Sequence, residues 1–417
     1  MSLDLHGHAT VGCRKIVKIL EVFASQVGPD IPHHTTVRQW IIRYGCHNLQ
    51  NPLEKADDWI SIGDLTISVG KLKCLAILGV RMSQLEERED LTLSHKDVEV
   101  IGIYPTEKST GKFVEEAYED SAKRIGGNFL ANVLDQGSDI KMGARLFQQT
   151  HSKVKLLHDI SHKLSNIMEH ELKNDKNWSA YIQELNMTRR RVFQTELSAL
   201  MPKKQREKAR FMDIGYLVNW PDRIKKSKEN GCLESIAEER YQDYLGWIDK
   251  FVLLLDKWKY MVNTVKLIKE TVRKYGYSMD IYTYLKMIFD EAAIEEEHLQ
   301  EFTLKCLNTL YEEVEKLDEG QTLIGSTEVI ESVFGKYKAI NEGLHGITGN
   351  ILGICTFVGQ KKTVQEIKES MEKCSVLRAV DFVKQKFGQT LASLRKQFFS
   401  GFKRTKFDND QELALMA

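Results

Sequence analysis

The chain has 417 residues, with 59 acidic and 59 basic side chains, so its formal net charge is zero. Its apolar content of 42% and charged content of 28% are those of an ordinary globular protein and argue against a disordered or fibrous chain. A neutral chain has to meet a polyanion such as nucleic acid through local basic patches, because it has no strong overall field.

Cysteines and apolar runs indicate the compartment. The seven cysteines are scattered singly without a CxxC pair, which argues against a zinc module and against a disulfide framework. No apolar run reaches the roughly 18 residues of a membrane span, and the N-terminus lacks the basic and apolar regions of a signal peptide. We therefore expect a cytoplasmic protein of two or three domains.

The N-terminal segment predicts a helix-turn-helix. Helical periodicity covers residues 12–27, and Thr35 or Thr36 is placed to cap a second helix over 35–44 that Gly45 would close. Two short helices with a tight join are typical of this motif, and a plain helical hairpin is the alternative. The residues that would face DNA are Arg38, Gln39 and Arg43.

A strand pattern begins at residue 59. Alternating polarity and short β-branched runs predict five strands and two helices in the order βββαβαβ, which describes a mixed sheet flanked by helices. These elements cover residues 59–70, 73–81, 97–105, 111–126, 129–136, 139–149 and 154–160.

Two aspartates occupy strand positions in this pattern. Asp64 lies within the first strand and Asp135 ends the fourth, and a buried carboxylate is costly unless it is paired or binds a metal ion. A turn-forming role would also explain Asp135, and a solvent-facing edge strand would explain Asp64. Asp139 is the rival of Asp135, but its position at a helix start favours an N-cap.

Strand signals end near residue 160, and helical patterns cover residues 162–318. Two basic stretches, residues 189–228 and 384–406, favour contacts with phosphates, although such a run is usually a solvated face. The first stretch begins with Arg189, Arg190 and Arg191.

The segment TEVIESVFGKYK, residues 327–338, predicts an amphipathic helix. Its apolar stripe consists of Val329, Ile330, Val333, Phe334 and Tyr337. Glu331, Gly335 and Lys338 share another face, which makes Glu331 a candidate third carboxylate. Glu328 is its rival, because helical register excludes neither residue.

Four segments together resemble the DDE transposases of bacterial insertion sequences, in their cut-and-paste branch. They are GDLTISVGKLKCLAILGVR, NVLDQGSDIKMG, LLHDISHKL and IGSTEVIESVFGKYK. Asp135 and Asp139 match the D-x-x-x-D-I form of that branch, and Glu331 and Lys338 match the E and K of its signature. The signature also has a Tyr and an Arg, and this chain has Ile324 and Thr327 at those two positions.

The resemblance implies an α/β plus α fold: an RNase H-like mixed sheet with an N-terminal helix-turn-helix and a long all-helical insertion. The implied domains are the helix-turn-helix at 1–50, the first part of the catalytic core at 55–160, the helical insertion at 161–320, the completion of the core with C-terminal helices at 321–405, and a flexible tail at 406–417.

By the same resemblance, Asp64, Asp135 and Glu331 would be the catalytic residues and would hold two Mg²⁺ or Mn²⁺ ions, which prefer carboxylate oxygens. Two ions about 4 Å apart would activate a nucleophile and stabilise the leaving oxygen in attack on a phosphodiester. Lys338 would contact a DNA phosphate, while Glu328 stays open as the third ligand.

The implied function is binding, cleavage and joining of double-stranded DNA, at the transposon ends and at the target. The protein would act as a homodimer in a synaptic complex on the bacterial nucleoid. Two alternatives are a catalytically silent DNA-binding protein and an RNase H-fold nuclease that joins no strands. In HDISH, a zinc site would lack a fourth ligand, and we expect Asp159 and His162 to hydrogen-bond at the strand-to-helix turn in a supporting role.

Overall fold

The computed structural model describes residues 1–28, 30–66, 72–135, 137–205, 211–231, 233, 238–340, 347–389 and 393–400. Its strands are β1 Trp59–Thr66, β2 Lys73–Arg81, β3 Glu99–Thr106, β4 Ala131–Leu134 and β5 Lys155–His158. Its helices are α1 Ser2–Gly7, α2 Cys13–Val22, α3 Ala24–Val27, α4 His34–Gln50, α5 Gly111–Ile125, α6 Ser138–Thr150, α7 Ile160–Lys173, α8 Lys176–Arg191, α9 Gly215–Val218, α10 Trp220–Glu229, α11 Glu238–Leu245, α12 Val252–Tyr275, α13 Met279–Glu291, α14 Glu297–Val314, α15 Glu328–Ile340, α16 Val364–Lys373 and α17 Val376–Phe387. Short 3-10 helices cover Met82–Gln84, Glu196–Leu200, Gly246–Phe251 and Gly349–Thr356.

The chain divides into two compact units. Residues 1–88, 93–156 and 327–417 form the first, which we call the sheet unit, and residues 89–92 and 157–326 form the second, the helical unit. In sequence, the helical unit therefore interrupts the sheet unit. The helices α1 to α4 belong to the same compact unit as the sheet.

The five strands form one mixed sheet in the order β3-β2-β1-β4-β5. β1 pairs antiparallel with β2, and β2 pairs antiparallel with β3. β1 pairs parallel with β4, which the chain reaches through α5. The prediction of a mixed sheet with flanking helices is thus confirmed, while residues 67–70 of the first predicted strand lie outside the described residues.

One face of the sheet is covered by α5 and α6. Tyr118, Phe129 and Phe147 form the aromatic centre of this core, with ring centroids 5.6 to 6.3 Å apart. A Cβ atom at Gly63 would lie 2.5 Å from the Tyr118 hydroxyl, so β1 turns its glycine towards α5 and leaves space for the tyrosine side chain. Since side chains alternate along a strand, Ile62 and Asp64 face the opposite side of the sheet.

The helix α4 differs from its predicted form. It runs from His34 to Gln50, and its N-cap is His33, whose Nδ1 accepts the Thr35 backbone N–H at 3.5 Å. The prediction of a Thr35 or Thr36 cap was therefore wrong. Gly45 does not close the helix. A Cβ at this position would overlap the carbonyl oxygen of Leu352, so the glycine serves close packing against the 3-10 helix at 349–356.

The N-terminal helices pack onto α4. Ile16 and Leu20 of α2 contact Val37 and Ile41 of α4 in one buried cluster. The helix predicted over residues 12–27 is divided at Phe23 into α2 and α3. Because α4 also contacts α16, α17 and β3, most of its surface is used within the sheet unit.

The helical unit is organised around aromatic side chains. Trp178, Tyr181 and Trp258 meet with ring centroids 5.0 to 5.8 Å apart, which joins α8 to α12. Helices α7, α12 and α14 pack against one another, in agreement with the helical pattern of residues 162–318. Among the residues that the structure describes, no helix is both long enough and apolar enough to cross a lipid bilayer.

Candidate functional site

Asp64 and Asp135 are brought side by side by the parallel pairing of β1 and β4. The register pairs Ile62 with Val133 and Gly63 with Leu134, so the next position in each chain is an aspartate. Neighbouring strands lie about 4.8 Å apart, and residues in register point to the same face of a sheet. Both carboxylates are half-buried, and Asp64 Oδ1 accepts the Leu65 backbone N–H at 2.5 Å.

Helix α15 lies on the same face of the sheet as Asp64. It packs against β1, and the Cys74 thiol is close enough to raise the pKa of Tyr337, together with the larger effect of burial, to about 12. Cys74 is two residues before Ala76, the register partner of Asp64, so all three side chains share one face. The face opposite to α5 thus carries the aspartates and α15.

The predicted amphipathic helix is confirmed, and all five residues of its apolar stripe are buried. Glu331 and Lys338 are exposed, while Glu328 is half-buried at the start of α15. A Cβ at Gly335 would meet no atom within 4 Å, so the surface between Glu331 and Lys338 is open.

The three predicted carboxylates do not form a closed ligand group. Among the described residues, no three His, Cys, Asp or Glu side chains lie close enough together to hold a metal ion. The strand register brings Asp64 next to Asp135, whereas neither Glu331 nor Glu328 completes a group of three with them. The donor set itself, hard carboxylate oxygens, is of the type that Mg²⁺ and Mn²⁺ prefer.

Asp139 does not have its predicted capping role. The N-cap of α6 is Gly137, and Asp139 lies in the first helical turn, so the prediction of an Asp139 N-cap was wrong. A carboxylate in the first turn interacts favourably with the helix dipole, which explains an acidic residue here without a ligand role.

Two of the three residues predicted to read DNA from α4 have partners within the protein. Arg38 Nε donates to Asn350 Oδ1 at 2.7 Å, and Arg43 Nε donates to the Cys374 carbonyl at 2.6 Å. Arg43 also donates to the carbonyl of Met371. Gln39 is half-buried. Arg43 therefore ties α4 to the end of α16.

The three predicted arginines of the first basic stretch lie in the last turn of α8. Arg189 donates to Asn186 Oδ1 at 2.7 Å, and Arg191 lies over the ring of Tyr244 at 4.8 Å. Arg190 is exposed. Residues 206–210 of this stretch, and residues 390–392 and 401–406 of the second, lie outside the described residues.

Asp159 acts at the strand-to-helix turn as predicted. Its Oδ1 accepts the backbone N–H of His162 at 3.0 Å and so caps α7. Its neighbour His158 donates its backbone N–H to Glu313 Oε2 at 2.9 Å. Sequence analysis missed Glu313, although a glutamate between Leu310 and Val314 on the apolar side of α14 is a signal for a buried partner.

Comparison with known protein families and with curated proteins finds no match for this chain. The features that bear on its function are therefore its own residues: Asp64 and Asp135, which directly follow the last register pair of β1 and β4, and a helix with acidic and basic side chains on the same face.

Proposed function

We propose that this protein is a DNA transposase of the DDE type, with an RNase H-like core that includes Asp64 and Asp135. The observation that carries the proposal is the register of β1 and β4, which makes the two aspartates neighbours on one face of the sheet. A central first strand with antiparallel β2 on one side and parallel β4 on the other is the strand order of that core. The resemblance of four sequence segments supports the same class.

The proposed site works through carboxylates on rigid elements. Asp64 and Asp135 would hold two Mg²⁺ ions between adjacent strands, and Glu331 of α15 would supply the third carboxylate, with Glu328 as its rival. Such ions supply Lewis acidity for attack on a phosphodiester. Because the three carboxylates do not form one ligand group among the described residues, the proposal requires the Glu331 side chain to turn towards the aspartates in the complex with DNA.

Other residues would bind the DNA. Lys338 follows Glu331 by seven residues on the same exposed face, and the space above Gly335 admits a phosphate backbone between them. Arg190 is exposed at the end of α8 and would contribute a phosphate contact in the helical unit. A helix-turn-helix role of α4 would have to use its exposed N-terminal residues, since recognition helices contact bases from that end.

The test measures Mg²⁺-dependent cleavage of a labelled DNA that carries the terminal repeats flanking the gene. Asp64→Asn and Asp135→Asn should each abolish cleavage but leave binding in a mobility-shift assay intact. Asp139→Asn is the matched control and should retain cleavage, because Asp139 lies in a helical turn away from the register pair. Full activity of either β-strand variant would remove that aspartate from the site.

The third carboxylate is tested by a second pair of variants. We expect Glu331→Gln to abolish cleavage and Glu328→Gln to reduce it only slightly, and the reverse result would assign Glu328. Joining of the cut ends to target DNA separates a transposase from a nuclease of the same fold. Repeat binding without any cleavage by the unmodified protein would contradict the proposal and favour a silent DNA-binding protein.

A further inference from the structure

The helical unit contains a cleft with a volume of about 410 Å³. One wall is α12, and the other is formed by residues 211–219, which include the short helix α9. Pockets of roughly 300 to 1,000 Å³ accommodate small organic ligands. The two walls approach closely at Gly215, where a Cβ would lie 3.3 Å from Val262 Cγ1.

Basic side chains form a stripe along the α12 wall. Lys266, Lys269 and Arg273 line the cleft, and with Val262 they are spaced by four, three and four residues, so they lie on one face of the helix. The acidic residues in the lining are Asp213 and Glu270, and Lys266 Nζ lies 3.9 Å from Glu270 Oε1. Three cations and two acids line the described part of the cleft, and a Lys or Arg side chain there can donate a charge-assisted hydrogen bond to an anion.

The remaining lining residues are of two kinds: apolar side chains at the base of the cleft and polar side chains at its rim. Met168, Phe211 and Ile214 contribute apolar surface, and an aromatic ring in such a floor stacks well on another flat ring. The rim combines donors and acceptors, with Asn219 and Asn263 as amides. A ligand that fits therefore has an anionic end, a flat apolar body and an edge with both donors and acceptors.

We propose that this cleft is a nucleotide-binding site, with the phosphate against Lys269 and Arg273 and the base against the apolar floor. A nucleobase has the flat face and the mixed hydrogen-bonding edge, and a phosphate has the charge that a basic stripe attracts. The nucleotide is either free or part of a DNA strand. The site is formed by the helical unit alone and does not depend on the proposed function of Asp64 and Asp135.

Calorimetric titration of the full-length protein in metal-free buffer tests the proposal with three probes: deoxyadenosine monophosphate, deoxyadenosine and inorganic phosphate. The intact nucleotide should bind about tenfold or more tightly than either part, because each part makes only half of the contacts. Equal affinity for phosphate alone would overturn the base-binding half, and no binding of the nucleotide would overturn the whole proposal.

Two variants of cleft residues and a control variant of a neighbouring residue locate the binding site. Lys269→Gln and Arg273→Gln should each weaken nucleotide binding about tenfold, since each removes a charge-assisted hydrogen bond. Lys274→Gln is the matched control. It removes a positive charge at the residue after Arg273, outside the cleft lining, so this variant should bind the nucleotide normally. Unchanged affinity in both cleft variants, with unchanged thermal midpoints, would contradict the assignment.

The source of the nucleotide is found by competition. Displacement of bound deoxyadenosine monophosphate by a short single-stranded oligonucleotide indicates that the cleft takes a nucleotide within DNA, and failure to displace it indicates a free nucleotide. Asp64→Asn should bind the mononucleotide as tightly as the unmodified protein. A protein that cleaves no DNA but binds the nucleotide would refute the transposase function and leave this site standing.

Discussion

Lys163 Nζ lies 2.7 Å from Glu313 Oε1, and the glutamate side chain has no exposed surface. Lys316 Nζ approaches the second oxygen, Oε2, at 2.6 Å, and His158 Nδ1 lies 3.2 Å from Oε1. The buried carboxylate thus joins the start of α7 to α14. Because removal of the buried carboxylate takes a counter-charge from two lysines and an acceptor from His158, such a cluster is costly to break.

Glu313→Gln should therefore lower the free energy of unfolding by about 3 to 5 kcal/mol, measured by urea titration. The control is Glu312→Gln, which removes the adjacent carboxylate that also pairs with Lys163 at 2.9 Å but is 62% exposed. An exposed pair contributes only about 0 to 1 kcal/mol, so this variant should be nearly as stable as the unmodified protein. Similar losses in both variants would contradict the special role of Glu313.

The same residue predicts a pH dependence of stability. Burial raises the pKa of Glu313, but the hydrogen bond with His158 and the charges of Lys316 and Lys163 outweigh it and lower the pKa from 4.5 to about 2. A lowered pKa stabilises the folded state above pH 4.5, and this contribution is lost as the pH falls towards 2. The stability difference between unmodified protein and Glu313→Gln should hold from pH 5 to 7 and shrink by roughly 3 kcal/mol near pH 2. A constant difference across this range would refute the assignment.

Two glycines in helices should respond oppositely to the same substitution. Gly45→Ala forces a methyl group into the Leu352 carbonyl and should lower the free energy of unfolding by about 1 to 3 kcal/mol. Gly335→Ala adds a methyl group in open space and should raise it by about 0.5 to 1 kcal/mol, because alanine favours the helix. Thermal unfolding of both variants checks the signs, and a stabilised Gly45→Ala protein would show that α4 packs differently.

Arg43 and Arg190 should separate stability from DNA binding. Arg43→Gln loses hydrogen bonds to two main-chain carbonyls and should lower the free energy of unfolding by about 2 kcal/mol, with little change in DNA affinity at matched folded fraction. Arg190→Gln should keep its stability but reduce the slope of log affinity against log salt by about 1. Urea unfolding measures the stability of both variants, and mobility-shift assays measure their DNA affinity. A changed salt slope for Arg43→Gln would support the predicted contact of Arg43 with DNA.

Much of the sheet follows from local pattern. Alternation and β-branched residues mark all five strands, and the stripe from Val329 to Tyr337 marks the buried side of α15, because both signals depend on residues close in sequence. The neighbouring positions of Asp64 and Asp135 are different. They depend on the register of β1 against β4, which only the folded sheet defines.

Two of the features that the sequence misassigned or missed depend on a partner that is distant in sequence. Gly45 has the local signal of a helix end, yet its actual reason is the backbone of Leu352. Glu313 looks like one more charged residue of α14 until α7 brings Lys163 against it. Asp139 was assigned to the N-cap from its residue type, whereas the N-cap is Gly137 and the helix begins at Ser138.

The interrupted chain path of the sheet unit also determines when it can fold during synthesis. His6 Nδ1 contacts Thr356 Oγ1 at 2.8 Å, across 350 residues. At a ribosomal rate of about 5 to 20 residues per second, α1 waits roughly 20 to 70 s for this partner to emerge. During that interval α2 and α4 can pack on each other, but α1 and α4 lack the 3-10 helix at 349–356, which is synthesised only after the whole helical unit. The N-terminal helices therefore keep apolar surface uncovered until almost the whole chain has been made.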